Sequence, residues 1–559
     1  MGLNREKIGI QLRYIKNLST TWDSLSKKID YKLLLFLLLF LDVKLLVKIV
    51  AIIVIFLSSS NLKLSLRLKE NSLSIFYFSL IGITLLNSII YKYYLDSSYN
   101  IMMLIGIIFW ILCILSTFAV KQFADCLSLE KLHYTLIIFF SINILVSFID
   151  IARIILEIKT INPYRFQGMF QKYFIGTGDY IKGVFFDTSN TNAIISAFGL
   201  IYFLYKKEIL MTLLCMITVL LTGSNTTNIL LVCILTSIFI FKSDSIQKST
   251  ISICLFLLIL FLAKISPQNN SYSLGFFKDM LAKKEDSTKI KKLDATITTS
   301  IQNPLSEEEN KKKIAIAYID SENLAHENII NVATINGSRN EKNNYVRPLI
   351  PQPSIHDREH QSSKDITPAQ KVLISFARQN EDTSILTFRN NWQNKPGKLI
   401  AFNQTIVFFK QNPRKLFTGL GMGNFSSKLA LRATGLQIEG NYLSRYKYIN
   451  DNYKRNHLAL LLYYFTKHSG YHSITNTPDS VYDQLISEYG LLGITSFLFF
   501  YVGFFIKNIK KLTYGLPIFF IVLIMFAFGY WFEQLSIVVL FELLMFMNIK
   551  ESSLFKSKE

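Results

Sequence analysis

The sequence is poor in charge for its length. Only 18% of its 559 residues are Asp, Glu, Lys or Arg, whereas soluble domains carry about 25%. The stretches 33–41, 255–262 and 517–528 contain no charged residue, while 278–313 is dense in Lys, Asp and Glu. This uneven distribution and the positive mean hydropathy of +0.31 exclude an ordinary cytosolic enzyme.

Cysteine is also scarce, with five residues that lie in or beside apolar segments. A disulfide framework is therefore not expected, and the sequence has no Cys-x-x-Cys or Cys/His metal spacing. It also lacks an acidic cluster such as Asp-x-Asp, so we expect neither a metal nor another cofactor. The first apolar run follows some thirty polar and basic residues, so we expect no cleavable signal peptide.

Long apolar runs predict membrane-spanning helices, because a helix needs about 20 apolar residues to cross about 30 Å of hydrocarbon. The ten clearest spans are 73–91, 99–120, 133–153, 190–205, 208–222, 226–241, 250–265, 489–506, 513–531 and 534–548. The stretch 32–57 is ambiguous, because Asp42, Lys44 and Lys48 interrupt it. It forms either a hairpin of two short crossings or one tilted helix.

The net charge of +21 alone would suit a partner that is a nucleic acid or an anionic membrane. The positions of the positive charges favour the membrane, because cytoplasmic connections accumulate Lys and Arg. Besides the basic N-terminus, these positions are Lys63, Arg67 and Lys69; Lys121 and Lys131; Lys206 and Lys207; Lys242 and Lys248; Lys507, Lys510 and Lys511; and Lys550, Lys556 and Lys558. The N-terminus and the 61–71 connection would both be cytoplasmic, which favours the hairpin and twelve crossings.

We therefore predict an all-α, polytopic integral membrane protein of the bacterial inner membrane. It would have about 12 transmembrane helices and a large extracytoplasmic loop between helices 9 and 10. The predicted parts are a cytoplasmic N-terminus (1–31), helices 1–9 (32–265), a polar and flexible insertion (266–383), a helical part of the outer loop (384–480), helices 10–12 (481–548) and a cytoplasmic C-terminus (549–559).

Four polar segments would face the outside, and they contain the candidate functional residues. The segments are 163–192, with Arg165, Asn190 and Asn192; 222–227, with Ser224 and Asn225; 389–425, with Arg389 and the glycines Gly419, Gly421 and Gly423; and 477–493, with Asp479, Glu488, Gly490 and Gly493. Because all four segments are predicted on the outer side of the membrane, they are candidates for one site.

Together these segments resemble the superfamily of O-antigen ligases and O-antigen polymerases of the Wzy type. The resemblance covers about 160–245 and 384–548, and rests on the order of an Arg-x-x-Gly signal, a small turn, Gly-x-Gly-x-Gly-x-Phe and Glu-x-Gly-x-x-Gly. The chain departs from the ligases at Asn225, where they have arginine, and at Asp479, where they have histidine. Both departures favour a polymerase-like or divergent member.

The resemblance implies transfer of glycan from an undecaprenyl-diphosphate-linked oligosaccharide to a hydroxyl of a glycan acceptor, with no nucleic acid involved. Arg165 and Arg389 would stabilise the departing diphosphate, because guanidinium groups donate paired hydrogen bonds to phosphate. Asp479 would accept the hydroxyl proton, and His468 and His472 are alternatives. A helix start at Thr477 and Pro478 would also explain Asp479, because acids favour the first helical turn.

The remaining candidates would bind substrate. Asn190, Asn192, Ser224 and Asn225 would contact sugar hydroxyls, although capping of helices is the simpler explanation for residues at helix starts. Gly421 and Gly423 would let backbone N–H groups approach an anion. Glu488 is included because acids near membrane spans are costly and often functional.

Three other functions are consistent with the sequence. One is a ligase that transfers glycan to lipid A core or another acceptor. Another is a transporter or flippase for lipid-linked glycans, although such proteins have paired repeats and polar residues at the bilayer midplane. The third is a catalytically inactive relative that serves as an assembly scaffold. The gathering of candidates at one face favours surface chemistry over alternating access.

Overall fold

The computed structural model describes residues 27–40, 45–58, 72–165, 176–185, 188–266, 375–376, 395–436, 447–465 and 474–556. All of them belong to one compact unit; a second unit, Leu274–His360, lies outside the described residues. Within the described part the chain forms helices, turns and irregular segments without strands. Arg389, His468, His472 and nearly all of the predicted insertion 266–383 lie outside it.

Helices follow the apolar runs closely. Within the described ranges, five helices are long and apolar enough to cross a membrane, namely Ser72–Ile90, Ser97–Cys126, Leu129–Ile158, Ser245–Ile265 and Val481–Lys511. Shorter apolar helices are Tyr31–Phe40, Leu45–Leu57, Ile209–Leu221, Asn225–Phe241 and Gly515–Met525. The chain is thus a membrane protein with several apolar helices, and the count of twelve crossings stays a prediction.

Two separate helices occupy the ambiguous stretch near the N-terminus. They are Tyr31–Phe40 and Leu45–Ser58. The Lys48 ammonium of the second helix donates to the Phe40 carbonyl at 2.7 Å and lies 5.3 Å from the centre of the Phe40 ring. The lysine thereby satisfies a carbonyl group at the C-terminal end of the first helix.

The basic connections meet at one end of the helical bundle, here named the lysine end. Ion pairs join Lys28 to Glu130 at 2.8 Å, Lys206 to Glu551 at 2.7 Å and Lys207 to Asp244 at 2.6 Å. The Lys550 ammonium donates to the carbonyls of Ala124, Asp125 and Leu127. These contacts bring together helix ends that the sequence analysis assigns to one side of the membrane.

The other connections meet at the opposite end, here named the loop end. The Tyr164 hydroxyl donates to the Leu221 carbonyl, and the Ser224 hydroxyl donates to Asn190 at 2.9 Å. The Val481 N–H donates to the Phe526 carbonyl at 2.8 Å. Residues from all four candidate segments therefore lie at the loop end.

Two helices, Ser189–Lys206 and Leu535–Lys556, form the centre of the bundle. Nearly all side chains of the first and most of the second are buried. Gly199 permits the close packing, because a Cβ atom there would lie 2.5 Å from the Phe140 ring and 3.0 Å from the Cys215 sulfur. Small residues at helix contacts are typical of membrane bundles, where backbones approach closely.

A carboxylic acid also lies in this apolar centre. Glu542 accepts hydrogen bonds from the Tyr77 hydroxyl at 2.8 Å and the Thr117 hydroxyl at 2.6 Å. The three residues come from three different helices. Because an unpaired polar group is costly among apolar side chains, these hydrogen bonds fix how the helices meet.

Substitution Gly199→Val tests the tight centre. The added methyl groups would overlap Phe140, and overpacking costs about 1–3 kcal/mol of folding free energy. We expect a lower midpoint of thermal unfolding for the detergent-purified variant. Gly82→Val is the matched control, because nothing lies within 4 Å of a Cβ at Gly82. Equal midpoints for the two variants would contradict the packing described.

Candidate functional site

The glycine-rich segment 419–425 pairs with the helix that begins at Val481. The Leu420 N–H donates to the Ser487 carbonyl and the Gly421 N–H to the Glu488 carbonyl, each at 2.9 Å. The Leu492 N–H donates to the Phe417 carbonyl at 3.2 Å. Two motifs that are far apart in sequence thus form one backbone unit at the loop end.

Glycine is required on both sides of this unit. Gly419 has φ +78° and Gly490 has φ +66°, in the left-handed region that other residues rarely adopt. A Cβ at Gly419 would lie 2.4 Å from the Glu488 carbonyl group, and a Cβ at Gly490 would lie 2.5 Å from the Gly419 nitrogen. The close approach explains why Gly-x-Gly and Glu-x-Gly occur together.

The Glu488 carboxylate holds the segment in place. It accepts hydrogen bonds from the N–H groups of Gly423 at 2.9 Å, Phe425 at 3.2 Å and Ser426 at 2.9 Å. Its side chain is 0% exposed. The N–H groups of Gly421 and Gly423 are thus engaged within the protein, so the arrangement assigns these glycines and Glu488 a positioning role.

The helix carrying Glu488 begins three residues later than the sequence pattern predicts. Its N-cap is Ser480, whose hydroxyl accepts from the Asp483 N–H at 3.4 Å. The predicted start at Thr477 and Pro478 is therefore wrong, because Ser480 competes successfully for the cap. Asp479 precedes the cap and is partly exposed, so the first-turn explanation of this acid does not apply.

Lys398 lies beside Asp479 at the start of the helix Gly397–Gln411. Its buried ammonium donates to the Asp479 carbonyl and lies 3.3 Å from the Thr477 hydroxyl. Burial lowers the pKa of Lys398 to about 8, and the charges of Asp479 and Asp483 oppose this shift. The lysine is therefore a cation at neutral pH in a site with little water.

Asp483 and His457 form a buried pair next to this lysine. One carboxylate oxygen of Asp483 accepts from the Thr405 hydroxyl at 2.6 Å, and the other lies 3.3 Å from the His457 Nε2 atom. Burial lowers the pKa of His457 to about 3, so its imidazole is neutral at physiological pH. We name Lys398, His457, Asp479 and Asp483 the charged cluster.

A further acid, Glu533, lies in the turn between the last two apolar helices. Its carboxyl group accepts from the Leu429 N–H at 3.1 Å and the Gln484 amide at 3.0 Å. Burial and the nearby Glu488 raise the pKa of Glu533 to about 8, against the charges of Arg432 and Lys428. A carboxyl group that stays protonated at neutral pH can donate a proton or a hydrogen bond.

The first two motifs form a separate polar network at the loop end. Asn190 accepts from Ser224 at 2.9 Å, while Asn192 is fully buried and donates to Ser147 and to the Ile181 carbonyl. Ser224 is the N-cap of Asn225–Phe241, but its side chain makes no cap bond. Asn225 is partly exposed. These contacts explain Asn190 and Ser224 as a link between two helix starts, and Asn192 as a link to the helix Leu129–Ile158.

For the two predicted arginines the structure describes no side chain. Arg165 ends the short helical turn Pro163–Arg165, but its side chain lies outside the described residues, as does all of Arg389. Their predicted role beside the diphosphate stays a prediction. The cations that the structure does place near Asp479 and Glu533 are Lys398, Lys428 and Arg432.

Three residues of the site were not predicted from sequence, namely Lys398, His457 and Glu533. Lys398 and His457 lie in the outer segment 384–480, where the apolar pattern indicates packed helices and nothing more. Glu533 did carry a signal, because it is an acid in a very short turn between two apolar runs. Lys398 and Asp479 are 81 positions apart in sequence, so no local sequence pattern predicts their contact.

No relative identifies this site. The chain matches no protein-family model, no curated protein and no solved structure. Among the described residues, no group of three His, Cys, Asp or Glu side chains could hold a metal ion. Its function is therefore inferred from the residues and their geometry.

Substitution Glu488→Ala tests the role of this carboxylate. Three N–H groups would lose their acceptor, and each unsatisfied group is costly. We expect hydrogen exchange at Gly423, Phe425 and Ser426 to become faster by about tenfold. Glu130→Ala, at the lysine end, is the control and should leave these amides unchanged. Unaltered exchange in Glu488→Ala would show that other contacts hold the segment.

Proposed function

We propose that the chain is a membrane glycosyltransferase of the polymerase type. It would transfer glycan from an undecaprenyl-diphosphate-linked donor to a hydroxyl of a second glycan at the outer face of the inner membrane. The observation that carries this proposal is the buried Lys398 ammonium held against the partly exposed Asp479, at the end of a bundle of apolar helices.

The reaction needs a fixed positive charge and a proton acceptor. The acceptor oxygen attacks the anomeric carbon, the bond from that carbon to the phosphate oxygen breaks, and the electron pair leaves with the diphosphate. A cation in a site of low dielectric stabilises the charge that develops on this leaving group. Lys398 is such a cation, because it is buried and carries its proton at neutral pH.

Asp479 is the residue proposed to receive the acceptor proton. It is partly exposed, whereas Asp483 is fully buried and engaged by Thr405. Asp483, Thr405 and the neutral His457 would act as positioning residues, because they join the helix that carries Lys398 to the helix that begins just after Asp479. The negative charge of Asp483 also favours the protonated form of the Lys398 ammonium.

The lipid carrier suits the surroundings of this cluster. The helix that starts just after Asp479 continues as an apolar span to Lys511, and its side chains Leu491, Leu498 and Phe499 are exposed. A polyprenyl chain could lie along this surface while its diphosphate reaches the loop end. The lysines at the opposite end support a position of the loop end outside the cytoplasm, because cytoplasmic connections accumulate Lys and Arg.

Deletion of the gene in the source bacterium tests the proposal, followed by gel analysis of surface glycans. We expect long chains to disappear while single repeat units remain attached. Loss of every attached unit would instead indicate a ligase that uses lipid A core or another acceptor. An unchanged pattern would defeat both functions.

Complementation with Asp479→Asn, Lys398→Met, Arg165→Ala and Arg389→Ala then tests the site. We expect Asp479→Asn and Lys398→Met to restore less than about 1% of long chains, since loss of a general base or of a group that stabilises the leaving charge costs about 100-fold or more. Lys410→Met, an exposed lysine of the same helix, is the matched control. Full rescue by Asp479→Asn and Lys398→Met would contradict the proposed roles.

The pH dependence of transfer by the purified protein provides a test specific to Lys398. The ammonium loses its proton as the pH rises through about 8, so activity should fall on the alkaline side. Lys398→Arg should move this fall to higher pH, because guanidinium stays protonated. An identical alkaline fall in wild type and Lys398→Arg would assign it to another group.

A further inference from the structure

Four tyrosines, three from 91–99 and one at position 448, pack against one another in tilted or edge-on pairs beside the glycine-rich segment. Ring centres are 5.6 Å apart for Tyr91 and Tyr93, 4.9 Å for Tyr93 and Tyr99, and 5.4 Å for Tyr99 and Tyr448. Tyr91 and Tyr93 lie in the turn after the helix Ser72–Ile90, and Tyr99 begins the next helix. We name these four residues the tyrosine row.

The tyrosine row is built against the segment that Glu488 holds. The Tyr448 hydroxyl donates to the Asn424 side chain at 2.7 Å, and the Tyr91 hydroxyl lies 3.1 Å from that of Thr418. A Cβ at Gly421 would lie 3.2 Å from the Tyr93 ring and 3.3 Å from the Tyr99 hydroxyl. The tyrosine row and the glycine-rich segment that Glu488 holds therefore form one surface of the loop end.

The row combines accessible ring surface with an unsatisfied polar atom. Tyr91, Tyr93 and Tyr448 are partly exposed. Tyr99 is fully buried, and its hydroxyl has no hydrogen-bond partner within the described part of the chain. The Tyr99 hydroxyl thus leaves an unused hydrogen-bonding group directly behind the accessible rings of the row.

Polar groups at the edge of the row fit hydroxylated ligands. The Asn450 amide donates to the Tyr448 hydroxyl at 3.3 Å, and the Lys415 ammonium lies 5.5 Å from the centre of the Tyr91 ring. Burial raises the pKa of Tyr448 to about 12 and also raises that of Tyr93. Both phenols therefore keep their protons; Tyr448 donates its own to Asn424, and Tyr93 can donate to a ligand.

A pyranose sugar has the matching chemistry. Its ring faces carry C–H groups that pack on aromatic rings, while its edge carries hydroxyls that bond to amides and phenols. We propose that the tyrosine row binds a pyranose of the glycan that the charged cluster transfers. This inference rests on the proposed function and extends it to a sugar-binding subsite.

Anchoring in the membrane interface is the competing explanation for tyrosines at a helix end. Interfacial tyrosines place their rings among lipids and their hydroxyls in the headgroup layer. In the row, however, the rings contact each other and the hydroxyls of Tyr91 and Tyr448 bond to protein groups. Tyr94 fits the interfacial description better, because it is 50% exposed and belongs to no ring pair among the described residues.

Saturation transfer NMR on the full chain in nanodiscs tests the subsite directly. The probe is short-chain surface polysaccharide purified from the source bacterium. We expect saturation of its sugar protons by the wild-type protein, and a loss of about fivefold or more in Tyr93→Ala and Tyr448→Ala. Tyr93→Phe and Tyr448→Phe keep the ring and should retain most of the signal. Thermal unfolding midpoints confirm that the variants compared are folded.

Tyr94→Ala is the matched control and should bind like the wild type. An equal loss in Tyr94→Ala would assign the tyrosines to the membrane interface and overturn the subsite. Absence of saturation in the wild type, or full saturation in both Tyr93→Ala and Tyr448→Ala, would also overturn the subsite. If the same samples still transfer glycan, the proposed function stands. Binding without transfer by the wild type would defeat the proposed function and support the subsite.

Discussion

The hydrogen bonds between the Glu488 carboxylate and the glycine-rich segment organise the loop end. They fix a segment that also contacts other parts of the loop end. Asn424 accepts from Tyr448 of the tyrosine row, and the Ser426 hydroxyl lies within hydrogen-bond distance of the Tyr530 hydroxyl. The same helix carries Asp483 and begins just after Asp479. A shift of this carboxylate would therefore displace the tyrosine row and the charged cluster together. The absence of a side chain at Gly490 leaves room for the close approach of Gly419.

Buried charge is the second constraint, because taking ions out of water costs several kcal/mol unless partners replace it. Two buried ionisable groups have such partners, in different surroundings. Glu542 is enclosed by hydroxyls in the apolar centre, where it joins helices. Lys398 instead lies at the bundle end, with the Asp479 carbonyl as acceptor and Asp483 nearby. The second arrangement leaves Asp479 partly exposed and available to a substrate.

Helix positions were predictable where apolar runs are long, as for 73–91 against the observed Ser72–Ile90. The span expected at 489–506 begins at Val481 instead, because Asp483, Gln484 and Glu488 are polar by composition yet buried by packing. The charged cluster was predictable only at Asp479. Lys398 and His457 reach it through contacts between distant segments, and such contacts leave no pattern of spacing in the sequence.

Aspartate at position 479 has an electrostatic consequence for the proposed reaction. A histidine at this position would be neutral before it takes a proton, whereas a carboxylate places negative charge beside a departing diphosphate. Repulsion between the two would slow the reaction unless a cation lies close to both. Lys398, held at the Asp479 backbone, meets this need without any external ion. In the proposed reaction, the Asp479 carboxylate and the Lys398 ammonium would therefore act as a pair, because the cation offsets the repulsion between the carboxylate and the diphosphate.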